Sequence, residues 1–278
     1  MKKINRRSFL AAAGLTAAAL ALTACGGSAS STASSTASSA ASSEAASTSA
    51  AAELTTVEAG KLTMATNAAF PPYEMTTDAG EFEGIDIDTA KAIAEKLGLE
   101  LQIDDMDFDA ALLSVQQGKA DIVMAGVTVT DERKAVMDFS DSYATGIQSI
   151  IVPEGSDITS PDDLAGKKIG TQRGTTGYIY CSDDFGDDNV VAYDDGLTAV
   201  QALNNGQVDA VVIDNAPAKE FVAANPGLVI LDTSYAEEDY AIGMAKGSSL
   251  EDAVNAALKE LKADGTLQSI VDKYITAE

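Results

Sequence analysis

Two charged residues in this sequence follow apolar runs that have the length of buried strands. Arg133 comes a few residues after the run 122–127, and Asp214 comes directly after the run 210–213. A guanidinium can hold a carboxylate through two parallel hydrogen bonds, and a carboxylate placed after a buried strand needs a helix amide or a cation. Together they could recognise a small molecule with one carboxylate and one ammonium group. Taken singly, Arg133 could be a surface residue on a first helical turn, and Asp214 could cap the helix that includes Pro217.

Two further features could complete such a site. The segment 170–177 reads Gly-Thr-Gln-Arg-Gly-Thr-Thr-Gly and precedes Tyr178, so its amides could meet an anion at a helix start. Its spacing differs from that of a phosphate-binding loop. Phe70 and Phe108 stand in polar or turn-rich segments, where each could contact a ligand or simply belong to the core.

The elements that would position these residues alternate between strand and helix. Apolar runs of strand length occur at 62–65, 99–103, 122–127, 147–152, 168–171, 190–193, 210–213 and 228–231. Between them, Asp86 is predicted to cap a helix that ends at Gly98, and another helix with an apolar stripe is predicted after Ser249. This alternation predicts an α/β fold with parallel-rich sheets flanked by helices. The chain from residue 61 onward, about 220 residues, suits two lobes.

An internal repeat indicates that the two lobes are built alike. The segments 112–123 and 200–211 each contain a helical pattern, a glycine, an aspartate and a buried strand at matching offsets. Ligands of doubly wound sheets bind at the carboxyl ends of strands. The residues after both strands, which include Arg133 and Asp214, are therefore expected to face one common cleft.

The amino end has the pattern of a lipoprotein signal. Basic residues at 2, 3, 6 and 7 precede a short apolar stretch at 9–22, and small residues lead to Cys25. The stretch is shorter than the roughly 20 apolar residues of a spanning helix, which is the weaker interpretation. The run 6–10 also resembles a twin-arginine export signal, and the sequence leaves the export route open.

Composition limits the remaining possibilities. The segment 26–58 is almost wholly Ser, Ala and Thr, which predicts a flexible tether or, alternatively, a glycosylated stalk. A lipidated Cys25 would leave only Cys181, so no intramolecular disulfide is expected. With 43 acidic and 18 basic residues the net charge is −25, which argues against nucleic acid as a partner. The charge could serve solubility or attract cationic solutes.

Several segments, in this order, resemble the polar amino-acid solute-binding proteins of bacterial ABC importers. The resemblance extends over about 61–275 and rests on 65–73, 84–88, 121–133, 138–143, 174–177, 208–214 and 261–267. It implies a two-lobed type II periplasmic-binding fold whose lobes are mixed, mostly parallel sheets joined by two hinge strands. The implied divisions are a signal peptide at 1–24, a lipidated tether at 25–58, a first lobe at 59–146 plus 240–278, and a second lobe at 147–239.

The resemblance also implies a role for each candidate residue. Arg133 would clamp the ligand carboxylate with Thr128 and the amide of Thr176, within the loop that also contains Thr175. Asp214 would accept from the ammonium together with the carbonyl of Gly126. The aromatic side chains of Phe70 and Phe108 would enclose the ligand side chain.

The ligand side chain is the least determined part of this prediction. Where related binders of basic amino acids often have an aspartate, this chain has Asn67, and Asn67 with Gln172 could bond an uncharged side chain. A neutral polar L-amino acid is therefore favoured, while Glu74 and Asp107 leave a basic one open. The implied protein is an exported monomer, anchored by lipid to the outer face of the cytoplasmic membrane and working with permease subunits.

Two other classes remain to be separated from this one. An enzyme on the same fold, such as a dehydratase acting on a cyclic acid, would need an acid or base in the cleft. The sequence has no histidine, so that role would fall to Glu74, Asp107, Asp214 or a lysine. A sensory lipoprotein would bind the same ligand but signal to a membrane partner. We predict no catalytic residue, metal site or cofactor.

Overall fold

The computed structural model describes residues 54–275, so the predicted signal peptide, Cys25 and the tether up to residue 53 lie outside the described residues. The strands are β1 (Lys61–Thr66), β2 (Ala69–Phe70), β3 (Glu74–Thr76), β4 (Phe82–Glu83), β5 (Glu100–Asp105), β6 (Ile122–Val123), β7 (Met137–Phe139), β8 (Ala144–Pro153), β9 (Ile169–Gln172), β10 (Val190–Tyr193), β11 (Ala210–Asp214), β12 (Leu228–Ile230), β13 (Ala236–Tyr240) and β14 (Gly243–Ala245). The helices are α1 (Ile85–Leu97), α2 (Phe108–Gln116), α3 (Asp131–Val136), α4 (Thr176–Phe185), α5 (Gly196–Asn204), α6 (Asn215–Ala224), α7 (Glu251–Ala263) and α8 (Thr266–Tyr274). None of these helices is long and apolar enough to span a membrane.

The first sheet has the order β5-β1-β6-β14-β7. Strand β1 pairs in parallel with β5 and β6, while β14 pairs antiparallel with β6 and β7. Alternate residues of β1 enter different cores, because Leu62 and Met64 join the cluster that contains α1 and α7, whereas Ala65 joins that of α2. A strand covered by helices on both faces is buried along its whole length, as the apolar run predicts.

The second sheet has the order β10-β9-β11-β8-β12, and β13 also pairs with β8. Strands β9, β10 and β11 are parallel, and β8 runs antiparallel to β11. The chain passes between the two sheets twice, from β7 into β8 and from β13 into β14. Strands β8 and β13 are paired where they cross, with Ala144 opposite Tyr240 and Gln148 opposite Ala236. This mixed α/β architecture with two connecting strands confirms the predicted fold class.

The internal repeat of the sequence is also a repeat of structure. Helices α2 and α5 each end before a left-handed glycine, Gly118 with φ 66° and Gly206 with φ 67°. The aspartate that follows accepts a backbone N–H at the neighbouring strand: Asp121 from Thr63 and Asp209 from Lys168, both at 2.8 Å. The repeated aspartates therefore fix strand register at the amino ends of β1 and β9, at the opposite end of these strands from the predicted cleft.

Two local predictions were wrong. Asp86 does not cap α1, since Gly84 stands at the N-cap and Asp86 is fully buried in the first turn. There its carboxylate accepts the amide of Gly126 at 3.0 Å and the hydroxyl of Tyr143 at 2.7 Å. The helix predicted after Ser249 is confirmed as α7, which begins at Glu251 with Leu250 at its N-cap. The run 122–127 forms a strand only over β6, because residues 124–127 leave the sheet towards the cleft.

Candidate functional site

A cavity lies where the carboxyl ends of β1, β6, β9 and β11 meet. Including the part open to solvent, its volume is about 430 Å³. All ten residues that the sequence predicted as ligand contacts line it: Asn67, Phe70, Phe108, Gly126, Thr128, Arg133, Gln172, Thr175, Thr176 and Asp214. Glu74, Ala125, Gln148, Val212 and Ile213 complete the lining. The two halves of the repeat thus contribute to one site, at the strand ends that the doubly wound rule indicates.

Arg133 is a buried cation with neutral partners. Its side chain is only 8% exposed, so the surface interpretation was wrong. One terminal nitrogen donates to the carbonyl of Thr128 at 2.8 Å and the other to that of Gly174 at 3.1 Å, and the guanidinium lies 5.3 Å from the ring centre of Phe108. Within residues 54–275 no ion pair includes Arg133. Burial lowers its pKa, because the charged form is removed from water, and an anion in the cavity would stabilise that charged form.

Asp214 occupies the N-cap position of α6 but does not cap it with its side chain. The carboxylate turns into the cavity, where the hydroxyl of Tyr240 donates to one oxygen and the amide of Gln148 donates to the other at 2.8 Å. Burial raises the pKa of Asp214 to about 7, and the charge of Glu238 acts in the same direction. A cation beside this carboxylate would restore its ionised form.

Glu74 is a second buried acid on the cavity wall. Its side chain is fully buried, and its carboxyl is hydrogen-bonded to that of Asp86, with no other partner among the residues the structure describes. Burial raises its pKa well above the usual range, and the nearby Asp86 carboxylate adds to the effect. An acid in this setting either keeps its proton or needs a cation.

The two amides predicted to read the ligand side chain are bonded to each other. The side-chain amide of Gln172 donates to the Asn67 side-chain oxygen at 2.8 Å and to the carbonyl of Asp194 at 3.2 Å. Asn67 in turn donates to the carbonyl of Met106 at 3.0 Å. Since Asn67 follows β1 and Gln172 ends β9, this pair joins the two halves of the site across the cleft.

The two predicted aromatic residues lie on the cavity with different neighbours. Phe70 stacks on Tyr73 with ring centres 5.9 Å apart, while Phe108 lies under the Arg133 guanidinium. Gly126, with φ 54°, lets Phe70 approach, because a Cβ there would stand 2.8 Å from the Phe70 ring.

The start of α4 presents backbone amides to the cavity. Thr175 is the N-cap, and its hydroxyl accepts the amide of Tyr178 at 3.3 Å while donating to the carbonyl of Gln172 at 2.8 Å. A helix of ten residues with its first turn at a cavity favours an anion there. The start of α4 and Arg133 lie at the same end of the cavity, because Arg133 donates to the carbonyl of Gly174.

Sequence reasoning missed Gln148 and Glu238. Gln148 could have been noticed as a polar residue within the apolar run 147–152, where a side chain with no role in the core is unexpected. Glu238 stands in an acidic segment that reads as exposed, and no feature of the sequence singles it out. Between residues 54 and 275 no group of three or more acidic or cysteine side chains has an arrangement that would hold a metal ion.

The chain resembles known proteins over its whole folded part. Residues 62–277 match the sequence profile of the bacterial extracellular solute-binding proteins, family 3. A probable histidine-binding protein of Neisseria gonorrhoeae is 32% identical over 99% of this chain and 98% of that protein. An arginine-binding extracellular protein of Bacillus subtilis is 34% identical over 78% of this chain and 87% of that protein.

Solved structures agree with this likeness. An ancestral arginine-binding protein bound to glutamine superimposes with a TM-score of 0.75 at 42% identity, covering 79% of this chain and all of that one. Its architecture is the type II periplasmic-binding fold that the sequence implied. The chain therefore belongs to family 3 of the bacterial extracellular solute-binding proteins and is an amino-acid-binding protein of an ABC transporter.

Proposed function

We propose that this protein captures an L-amino acid between its two sheets and delivers it to the permease of an ABC importer. One observation carries the proposal: a buried guanidinium with neutral partners and a buried carboxylate line the same cavity. Arg133 would take the ligand carboxylate together with the amides at the start of α4. Asp214 would take the ammonium. An α-amino acid presents these two groups on one carbon, so it would supply an opposite charge to both residues at once.

Closure of the cleft around the ligand would be the signal that the permease reads. The bonds from Arg133 to Gly174 and from Gln172 to Asn67 belong to the closed arrangement, since each joins segments from different sheets. A charge-assisted hydrogen bond contributes about 1.5–3 kcal/mol. Three or four of them would supply the roughly 8 kcal/mol of micromolar binding.

We propose a cationic ligand side chain ahead of the neutral polar one that the sequence favoured. Asn67 and Gln172 are already bonded to each other, whereas the partner of Glu74 among the described residues is another acid, Asp86. A guanidinium or ammonium reaching Glu74 would give its carboxylate a counter-charge. A neutral amide remains the alternative, because a protonated Glu74 can donate to a carbonyl oxygen.

A thermal-shift screen of amino acids tests both parts of this proposal. The protein is first partly unfolded and refolded to remove any amino acid carried through purification. We expect L-arginine and L-lysine to raise the unfolding midpoint most, because a ligand that binds only the folded state stabilises it. If none of the common amino acids raised the midpoint, the proposal would be overturned.

Three analogues of arginine identify which group each residue reads. Agmatine lacks the carboxylate and should give no shift if Arg133 holds that group. D-Arginine should also fail, because its carboxylate and ammonium cannot both reach Arg133 and Asp214 from the same pose. L-Citrulline has the shape of arginine without the side-chain charge. A shift from citrulline equal to that from arginine would contradict an interaction between Glu74 and a cationic side chain. It would favour the neutral polar ligand instead.

The anchor and the lobe boundaries complete the proposal. Membership of an extracellular family supports an exported protein, and the signal pattern with Cys25 supports a lipid anchor on the outer face of the membrane. We propose that 59–146 with 240–278 and 147–239 are the lobes that move, and that the protein acts as a monomer. The relatives found are solute-binding proteins, which supports a binding role over catalysis or sensing.

A further inference from the structure

Glu238 is a buried carboxylate just outside the cavity. It stands in the middle of β13, and its side chain is 7% exposed while both neighbours on the strand, Glu237 and Asp239, are exposed. It does not belong to the cavity lining. A carboxylate so placed must be satisfied mainly by the protein itself, since little of its side chain is exposed to water.

Three side chains from three different parts of the chain donate to one oxygen of Glu238. These bonds come from the hydroxyl of Thr176 at 2.9 Å, the amide of Gln148 at 3.0 Å and the hydroxyl of Thr128 at 3.2 Å. The other oxygen is buried without a partner among residues 54–275. The two threonine hydroxyls lie 3.5 Å apart.

These donors come from both sides of the cleft. Thr128 lies beyond β6 of the first sheet and bridges to Tyr240, whereas Thr176 is the first residue of α4, which packs on the second sheet. Arg133 joins the same two segments from the cavity side, through the carbonyls of Thr128 and Gly174. Arg133 on the cavity side and Glu238 behind the cavity wall therefore connect the same two segments across the cleft.

The bonds to Glu238 also fix where the hydroxyl protons point. A threonine hydroxyl has one proton to donate, so a hydroxyl that donates to Glu238 offers the cavity only lone pairs. The predicted contact from the Thr128 hydroxyl to a ligand carboxylate is therefore in competition with Glu238. A ligand carboxylate would meet N–H donors, those of Arg133 and of the α4 backbone.

We propose that Glu238 is a positioning residue that orients the Thr128 and Thr176 hydroxyls and holds the start of α4 against the first sheet in the closed form. This role rests on the proposed function, because it acts on closure around the ligand. Opening of the cleft carries Thr176 away and removes one of the three donors. The buried carboxylate then favours return to the closed form.

Calorimetry with L-arginine on three variants tests this role. Glu238→Ala should weaken binding by about tenfold, since the closed form loses the hydrogen bond from Thr176. Glu238→Gln keeps an acceptor oxygen and should recover most of the affinity. Glu237→Ala, one residue away and exposed, should bind as the wild type does.

Two calorimetric outcomes would overturn the proposal. One is wild-type affinity in Glu238→Ala. The other is a Glu238→Gln variant as weak as the alanine variant, since charge rather than hydrogen-bond geometry would then be responsible. If Glu238→Ala fails to fold, Thr176→Val removes one donor instead and should weaken binding to a similar extent in the wild-type and Glu238→Gln backgrounds, since both side chains offer an acceptor oxygen; unchanged affinity in Thr176→Val would overturn the proposal.

Small-angle scattering separates failure of this proposal from failure of the proposed function. Without added amino acid, Glu238→Ala should have a larger radius of gyration than wild type, because its closed form is less favoured. That comparison needs no ligand. Equal radii of gyration would contradict the positioning role of Glu238. Absence of any amino-acid binding by the wild type would contradict the proposed function alone.

Discussion

Arg133, Asp214 and Glu74 are ionisable side chains that the fold buries at one cavity. In each case the described part of the protein offers no opposite charge in direct contact: carbonyls face Arg133, neutral donors face Asp214, and the neighbour of Glu74 is another acid, Asp86. Such groups destabilise a folded protein unless a ligand supplies the opposite charge. The free-energy cost of burying these groups therefore indicates which charges the ligand of this site should carry.

Replacing Arg133 by alanine should weaken amino-acid binding by about 100-fold or more, since two charge-assisted bonds are lost. The unfolding midpoint should change little, because the wild-type guanidinium is itself buried without an anion. Calorimetry and a thermal melt measure the two effects. Arg173→Ala is the matched control, because Arg173 follows β9 with an exposed side chain and should bind normally. Unchanged affinity in Arg133→Ala would refute the carboxylate clamp.

The raised pKa of Asp214 predicts opposite pH trends for binding and stability. Only the ionised carboxylate attracts an ammonium group, so affinity should weaken by up to about tenfold for each pH unit below 7. Stability of the free protein should change the other way. Because burial raises the pKa of Asp214 from 3.8 to about 7 and that of Asp86 to about 6, the folded protein keeps protons that the unfolded chain loses above about pH 4, and stability should fall between about pH 4 and 7.

These two trends can be measured separately. Titration calorimetry at several pH values gives the affinity, and urea unfolding without ligand gives the stability. In Asp214→Asn the affinity should be weak throughout and vary less between pH 5 and 8. A wild-type affinity that does not change over this range would show that Asp214 does not hold the ammonium.

At the residue scale, the sequence predicts contacts that depend on chain position alone. Arg133 and Asp214 were found because each follows a buried strand, and strand ends meet at one edge of a sheet. Glu238 was not found, because its donors lie 62 to 110 residues away along the chain. Asp86 was misassigned for the same reason: its partner Gly126 is 40 residues distant.

At the scale of elements, periodicity located most strands and helices but not those with mixed polarity. Strand β13 contains two glutamates and an aspartate among its five residues, so its hydrophobicity predicts no strand. It forms because β8 offers a free edge with matching register. Pairing with a neighbour, which single-sequence patterns do not contain, decides such strands.

Gly174 is the place where the turn after β9 meets α2 from the other side of the cleft. Its φ is 74°, and a Cβ there would overlap the carboxylate of Asp109. Gly174→Ala should therefore hinder closure and weaken binding, beyond the cost of about 1 kcal/mol for a left-handed alanine. Calorimetry and a thermal melt separate the two contributions.

Gly186→Ala is the control for this effect. Gly186 has a similar φ of 85° on the same side of the cleft, but a Cβ added there would have no heavy atom within 4 Å beyond its chain neighbours. It should lose stability, since its φ of 85° with ψ of 146° is unfavourable for alanine, and keep its affinity. Equal affinities in the two variants would mean that Asp109 and Gly174 need not approach each other for the ligand to bind.

At the scale of the whole molecule, the predicted anchor rests on the sequence before residue 54. Cys25→Ser should leave the protein without lipid, since the thiol is the acceptor in a lipoprotein signal. Labelling of cells with a fatty-acid analogue, followed by separation of membrane and soluble fractions, measures this. Cys181→Ser is the control, because Cys181 is buried in the folded part. Label that persists in Cys25→Ser would exclude the anchor.

Asp121 determines where a force on the amino end would enter the fold. One carboxylate oxygen accepts the amide of Val57 at 2.7 Å and the other that of Thr63 at 2.8 Å. From Thr63 the chain then runs roughly 13 Å before it reaches the cavity at Asn67. A pull through the predicted tether would thus act at the end of the first sheet remote from the cleft. Opening and closing of the proposed lobes on a permease would leave this point of attachment in place.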